Sequence, residues 1–452
     1  MPSTIAAVST PAGQGGIGVI RISGDDAIKI ADSVFKSISG KKIAEKNGYC
    51  ALYGEFFDSD GKIDSGVALL FRAPKSYTGE NVVELSCHGG SYIAKRLLRA
   101  CFNAGATPAD AGEFTKRAFL NKKLDLIEAE SVMGLISASG DSQLRLLNAA
   151  HMGKTSTKIN AAKDTLLNVA AAVAVNADYP DEDIPELEET ALKASLMDIS
   201  NALDTAICEY NSGKVLRDGV NTVIVGRPNV GKSTLMNLLS HTNRSIVTDV
   251  AGTTRDVIED TVRVGDLTLN IADTAGIRKT ADTVEAVGVT LARQRMEAAQ
   301  LILAVFDSSD SLNDDDLEIL NDIRGRNCLV ILNKCDKGST LSPADFEGFN
   351  TVAVSAKLGE GVKTLEEKIC DICLTKKLDA NAAVLISERQ RDCAARAKES
   401  VDEALSALSL GLTSDAVGIC IDDAIAALLE LTGERVTNEV TNEIFRHFCV
   451  GK

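Results

Sequence analysis

The run Gly226-Arg227-Pro228-Asn229-Val230-Gly231-Lys232-Ser233 has the residue types and spacing to hold a polyphosphate. It fits G-x-x-x-x-G-K-[ST], in which glycines let backbone N–H groups wrap the phosphate oxygens. Lys232 supplies a point charge for the β and γ phosphates. Ser233 offers a hydroxyl to Mg²⁺, which prefers hard oxygen ligands. The flanks suit this chemistry. Thr222-Val223-Ile224-Val225 is β-branched and reads as a strand. The residues from Thr234 to Leu239 open a helix, whose N-terminus adds positive potential at the phosphates.

Further elements follow in the order a guanine-nucleotide hydrolase needs. Thr253 and Thr254, in Ala251-Gly252-Thr253-Thr254-Arg255-Asp256, read as switch I, one hydroxyl completing the Mg²⁺ shell; Ser233 and Thr254 are the expected Mg²⁺ pair. Asp273-Thr274-Ala275-Gly276 follows the strand-like Leu267 to Ile271. There Asp273 would hold Mg²⁺ through water and the Gly276 N–H would sense the γ-phosphate. Asn333-Lys334-Cys335-Asp336 follows the strand-like Leu329 to Leu332. Its Asp336 carboxylate can accept hydrogen bonds from guanine N1–H and N2–H₂, a donor pair adenine lacks. Ser355-Ala356-Lys357 supplies the last base-side loop. The residue after Gly276 is Ile277, where many GTPases place a water-orienting Gln. Either hydrolysis is slow or another group positions the water. Glu285 lies just downstream, and its spacing alone reads as a solvated helix residue. Arg255 and Arg278 are surface cations by the same standard.

The elements that must position these residues belong to a chain of 452 residues with formal net charge −16. At about 150 residues per domain the length points to roughly three domains. Hydrophobic residues make up 45% and charged residues 25%, which excludes a disordered chain, a collagen and a small disulfide scaffold. No long uncharged apolar run and no basic, apolar leader are present, so neither a membrane span nor a signal peptide is expected. An acidic chain does not bind nucleic acid by bulk charge; RNA contact needs a local basic patch or a partner. Eleven cysteines without a secretion signal indicate a reducing, cytoplasmic setting with mostly buried free thiols. The pair Cys370 and Cys373 lacks a second pair at zinc-site spacing and reads as two cysteines on a helix.

Residues 1 to about 118 mix strand-like segments (Val19–Ile22, Val67–Phe71, Val82–Leu85) with helices and glycine turns. From Phe119 to about Tyr179 the apolar spacing is helical. An acidic turn at Asp178 to Asp183 precedes another helical stretch to about Gly213. Strand–loop–helix alternation fills 219 to 375, and the chain is helical again to its end. The fold class expected is α/β plus all-α. An N-terminal α/β domain (1–118) is followed by a discontinuous helical domain (119–218 and 376–452), with a Ras-like P-loop G domain (219–375) inserted in it.

With these residues in view, the sequence resembles the TrmE/MnmE family of tRNA-modification GTPases over essentially its whole length. The N-terminal run from Thr4 to Gly24 is similar to the family's opening. So are Tyr77-Thr78-Gly79-Glu80, His88-Gly89-Gly90, Gly112-Glu113-Phe114-Thr115 and Arg117-Ala118-Phe119-Leu120-Asn121. The ending Phe448-Cys449-Val450-Gly451-Lys452 is close to the family's C-I-G-K, with Val in place of Ile. The resemblance implies a homodimer that acts on tRNA with a flavin-dependent partner, MnmG (GidA), in a heterotetramer. FAD sits on that partner rather than on this chain. The reaction implied adds a carboxymethylaminomethyl or aminomethyl group at C5 of wobble uridine 34. Its one-carbon unit comes from a folate (5-formyl- or methylene-tetrahydrofolate) in the N-terminal domain. Family folate contacts map onto Arg21, Glu84, Lys123 and the terminal Lys452. Cations suit the two carboxylates of a folate.

The same resemblance implies potassium-stimulated hydrolysis, with K⁺ in the role of an arginine finger. Its ligands map onto Asn229, Thr248, Val250 and Thr253, within a nucleotide-contacting loop Thr248-Asp249-Val250-Ala251-Gly252-Thr253. Glu285 maps onto the family's water-orienting acid and Cys449 onto a catalytic thiol, brought to the folate pocket across a dimer. His447 stands two residues from that thiol.

Other patterns are read differently. Gly13-x-Gly15-x-x-Gly18 matches a dinucleotide fingerprint, yet β-like residues follow it where a helix should start; it reads as a glycine loop against folate or a neighbouring subunit. Cys449-Val450-Gly451-Lys452 is no prenylation box, since Gly451 is not aliphatic and Lys452 is not a usual final residue. His88 reads as a loop hydrogen-bonding group. Two rivals remain: a ribosome-assembly GTPase switch of the Era/Der kind, and a GTP-dependent scaffold without chemistry of its own.

Overall fold

A computed structural model of the chain describes residues 3–138, 140–178, 189–242, 260–265, 267–272, 296–373 and 383–452. In chain order the first elements are β1 (Ile5–Val8), β2 (Ile17–Ser23), α1 (Ala27–Val34), β3 (Phe35–Ser37), β4 (Cys50–Asp58) and β5 (Gly61–Phe71). β6 (Val82–His88), α2 (Ser91–Asn103) and β7 (Thr107–Pro108) follow. Helices α3 (Glu113–Leu120), α4 (Leu126–Ser137), α5 (Asp141–His151), α6 (Lys154–Asp178) and α7 (Glu189–Asp218) come next. Then come β8 (Val220–Val225), α8 (Lys232–Thr242), β9 (Asp260–Val264), β10 (Leu267–Ala272), β11 (Leu301–Asp307) and α9 (Asp314–Ile323). The described chain continues with β12 (Cys328–Asn333), β13 (Asn350–Val354), α10 (Val362–Cys373), α11 (Glu388–Ser409), α12 (Ser414–Thr432) and α13 (Asn438–Arg446).

The chain divides into two compact units. One comprises Met1–Met133, Ala150–Leu203 and Ser387–Lys452, so the N-terminal sheet and much of the flanking helix fall together. Among its described residues a seven-stranded sheet has the order β3-β4-β5-β6-β2-β1-β7. The pairings are antiparallel except that of β1 with β7. α1 and α2 cover one face, sealing Ile20, Ile22, Val83, Leu85 and Leu97 into a core. The two-residue period of a strand sends Arg21 to the other face, in register with Glu84. The helical part packs α12 against α11 and α6. Phe445 and Phe448 seal a smaller core with Leu126, Ala129 and Val132.

The other unit comprises Gly134–Ala149 and Asp204–Ile386 and extends on both sides of the 219–375 block. Its described sheet has the order β13-β12-β11-β8-β10-β9, parallel but for the β9–β10 pair. Strands buried on both faces must read as continuous apolar runs, and Leu301–Phe306 and Cys328–Leu332 do so. Such a sheet leaves only its strand ends for polar work, which is where Asp307 and Asn333 sit.

One expectation needs correction: only four of the eleven cysteines are buried, namely Cys87, Cys101, Cys328 and Cys393. The helical stretch after Phe119 is divided among α4, α5 and α6, with Gly153 at φ +76° before the last. Cys370 and Cys373 do lie on one helix, α10, where burial pushes the Cys373 thiol up to about 12. No group of metal-ligating side chains occurs among the described residues. No described helix is long and apolar enough to cross a membrane.

Candidate functional site

The loop between β8 and α8 has the shape its sequence demands. Gly226 has φ +147°, and a Cβ there would come 2.3 Å from the Val305 carbonyl oxygen. Gly231 has φ +100°, and its Cβ would come 2.2 Å from Asn333 Nδ2. Both positions therefore require glycine. Asn229 adopts φ +65°, which asparagine tolerates better than most residues. Val230 is buried and anchors the loop, while Ser233 and Thr234 are exposed on the first turn of α8. The Lys232 ammonium donates to the Gly226 and Arg227 carbonyls at 2.6 and 2.7 Å, so it lies within the loop. An ammonium there and a hydroxyl on the first turn of a helix suit a phosphate with its divalent cation.

The base-side residues are tied to this loop. Asn333 Nδ2 donates to the Val230 carbonyl at 2.8 Å, and its Oδ1 accepts from the Ala356 N–H at 3.0 Å. One buried side chain thus joins phosphate loop, β12 and base loop. Lys334 Nζ donates to the Asn229 carbonyl at 2.7 Å and pairs with Asp307 at 2.6 Å. Burial raises the Asp307 carboxyl, but Lys334 and Ser309 outweigh it and hold it below its ordinary value. The Ser355 hydroxyl donates to Asp336 Oδ1 at 2.7 Å and holds that carboxyl below its ordinary value, so Asp336 is an ionised acceptor. Its neighbours Cys335 and Lys357 are half-buried and exposed.

The structure gathers a second polar site in the N-terminal sheet. Arg21 Nε donates to Glu84 at 2.8 Å. The guanidinium carbon lies over the Tyr77 and Phe114 rings, 5.6 and 5.7 Å from their centroids. Its Nη1 donates to the Gly451 carbonyl at 3.1 Å, and the Ser9 hydroxyl donates to the same oxygen at 3.1 Å. Val450 bridges Ala111, Gly112 N–H donates to the Cys449 carbonyl, and Phe114 N–H donates to a main-chain oxygen of Lys452. The C-terminal tail therefore reaches Arg21 within one chain. Burial, and then the Arg21 charge, lower the Lys452 ammonium below its ordinary value. The Arg21 and Lys452 cations beside two rings suit a flat, anionic group such as a folate. Lys123 is exposed and packs by its stem over Gly79, in the Tyr77 loop, rather than against Arg21.

Thr248, Asp249, Val250, Ala251, Gly252, Thr253, Thr254, Asp273, Thr274, Ala275, Gly276 and Glu285 lie outside the described residues. Four groups were missed in the sequence. Asp307 had a signal, a charge closing an apolar parallel strand. Tyr77 and Phe114 lay inside motifs already singled out, but nothing marked them as neighbours of Arg21. Ser9 had no signal. The Gly13–Gly18 loop leads into β2, and its Gly15 N–H donates to the Gly89 carbonyl. It is a packing loop against Gly89, with no helix to face a dinucleotide. His88 Nδ1 pairs with Asp64 at 2.8 Å.

A parallel sheet with a phosphate loop, an Asn-Lys-x-Asp turn and a Ser-Ala-Lys loop at its strand ends defines a G domain of the P-loop class. Sequence profiles described as "MnmE helical domain" and "GTP-binding protein TrmE N-terminus" match residues 126–449 and 4–123. The tRNA modification GTPase MnmE of Clostridioides difficile (strain 630) is 39% identical over 99% of this chain and 99% of its own length. That of Lactococcus lactis subsp. lactis (strain IL1403) is 40% identical over 99% of this chain and 98% of its own. A solved structure of an Aquifex aeolicus Era variant bound to GDP.AlF4- is 27% identical, with a TM-score of 0.28 over 40% of this chain and 66% of that one. The sequence relatives decide the matter: the chain belongs to the MnmE family of tRNA modification GTPases.

Proposed function

We propose that this chain is a potassium-stimulated GTP hydrolase that works with a flavin-dependent partner. Together they add a carboxymethylaminomethyl or aminomethyl group at C5 of wobble uridine 34 of tRNA. The observation that carries the reading is the seating of the Cys449–Lys452 tail beside Arg21 in a chain that also holds a complete phosphate loop. A GTPase switch for ribosome assembly has no use for the first of these.

In this reading Lys232 and the loop amides hold the β and γ phosphates, and Ser233 and Thr254 hold Mg²⁺, which neutralises developing phosphate charge. Asp336, Ala356 and Lys357 receive guanine. Asn229, with Thr248, Val250 and Thr253, holds K⁺; Asp273 holds Mg²⁺ through water, the Gly276 N–H senses the γ-phosphate, and Glu285 orients the hydrolytic water. Arg21, Glu84, Lys123 and Lys452 hold a tetrahydrofolate, which supplies the one-carbon unit. Cys449 is the catalytic thiol beside that pocket. The assembly is a homodimer joined to the flavoprotein as a heterotetramer, with FAD on the partner, in the cytoplasm. The test is GTP turnover in matched KCl and NaCl. Turnover rises about tenfold or more in KCl if the cation supplies transition-state charge stabilisation. Equal rates in the two salts would refute the potassium mechanism.

A further inference from the structure

Gly451 is seated where only a glycine can sit. It is buried at φ +95°, and a Cβ would come 2.4 Å from the Val8 carbonyl oxygen and 2.9 Å from Ser9 Cα. The tail thus rests directly on the backbone at the end of β1. Its turn is closed by Lys452 N–H donating to the Cys449 carbonyl at 3.3 Å. The 112–114 turn holds it from one side, and two donors, Ser9 Oγ and Arg21 Nη1, converge on the Gly451 carbonyl from the other. These two donors differ in one respect. Arg21 is also the cation that the proposed folate site offers to an anion, so its bond to the tail is the one a ligand competes for. Ser9 has no such second task; its backbone N–H is already engaged with the Val19 carbonyl at 2.8 Å, which fixes where the hydroxyl points from.

We propose that Ser9 is a positioning residue that keeps the C-terminal tail seated when ligand engages Arg21. The Gly451 carbonyl then always has a donor, and the half-buried Cys449 holds its place whether the pocket is filled or not. The inference rests on the reading of Arg21 as a ligand-binding residue given above, and its test separates the two. The rate of Cys449 alkylation by iodoacetamide is followed by mass spectrometry of the C-terminal peptide, with and without 5-formyltetrahydrofolate. Wild type, Ser9→Ala and Ser9→Thr are compared in the full-length chain. GTP turnover serves as the check that each variant is folded.

Without ligand, Ser9→Ala speeds alkylation about 3- to 10-fold, the weight of one lost hydrogen bond. With ligand, its rate rises further, while wild type and Ser9→Thr change by less than about twofold, since both keep a hydroxyl donor. A Ser9→Ala rate equal to wild type without ligand would overturn the proposal. So would a rise with ligand that is the same in wild type. Calorimetry on the wild type tests the folate reading by itself: if no binding heat appears, that reading fails while the ligand-free comparison still decides the role of Ser9.

Discussion

The phosphate loop and the Arg21 site are built in opposite ways. The loop is one continuous run between a strand and a helix, and its geometry follows from glycine positions and one asparagine within that run. The Arg21 site is assembled from β2, β6, two turns and the end of the chain; Ser9 and Gly451 meet across 442 sequence positions. The first kind of site carries its shape with it wherever the strand–helix unit folds. The second exists only when the whole unit has folded and the tail has come home. A local motif is therefore robust to remote change and sensitive to its own residues, whereas a gathered site is sensitive to residues that touch no ligand.

That contrast is open to direct attack. The largest effect belongs to Lys232→Ala, expected to lower GTP turnover by about 10²–10³-fold, the scale of losing one transition-state charge contact. Affinity for 5-formyltetrahydrofolate, read by calorimetry, stays within about twofold, because that site shares no residue with the loop. A parallel loss of both activities would show that the two sites are not independent. Next comes Asp336→Asn, expected to weaken GTP binding by about 10–100-fold, the scale of losing hydrogen bonds to a charged acceptor. Competition between GTP and XTP checks the role: the amide should move preference toward the xanthine base, and an unchanged preference would remove Asp336 from base recognition.

Gly451→Ala probes the gathered site through its backbone rather than through its charges. Forcing a side chain against the Val8 carbonyl and into a left-handed backbone costs about 1–3 kcal/mol. Folate affinity should fall about tenfold, with GTP turnover unaffected. If folate binding is unchanged, the tail is not part of that pocket.

The smallest effect is a pH dependence at Lys452. Its folded pKa is lowered from the ordinary 10.5, by burial first and by Arg21 second. Between the lowered value and 10.5 the undocked tail binds more protons than the docked one, so docking strengthens as pH rises through that window. Anion binding moves the other way, because the ammonium is lost over the same range. Titrating tail protection by hydrogen exchange beside folate affinity should give slopes of opposite sign, and slopes of one sign would remove Lys452 from the pocket.

How much of this could be read from sequence follows the same division. β8, α8, the Asn333–Asp336 turn and the Ser355–Lys357 loop are legible because spacing fixes them. Asp273 and Glu285 are legible as types, but their places fall outside the described residues. Arg21 and Glu84 can be paired by strand register only once β2 and β6 are known to be neighbours. The resemblance to a family implied folate contacts at Arg21 and Lys452, while Tyr77, Phe114 and Ser9 stood only within the matching runs, with no role at the site. No local period or propensity encodes that Gly451 will lie on Val8; chain topology alone does so. The approach of the tail to Arg21 is hidden for the same reason, since it is a contact between the two ends of the chain.

The account stands on one claim, that a GTP site and a tail-closed Arg21 site in one chain serve the same tRNA modification. The direct test is nucleoside mass spectrometry of tRNA from cells lacking this chain, complemented with wild type, Lys232→Ala or Cys449→Ser. The account predicts that the C5-modified wobble uridine disappears and returns with wild type only. Full restoration by Cys449→Ser, or modified uridine that never falls when the chain is absent, would contradict it.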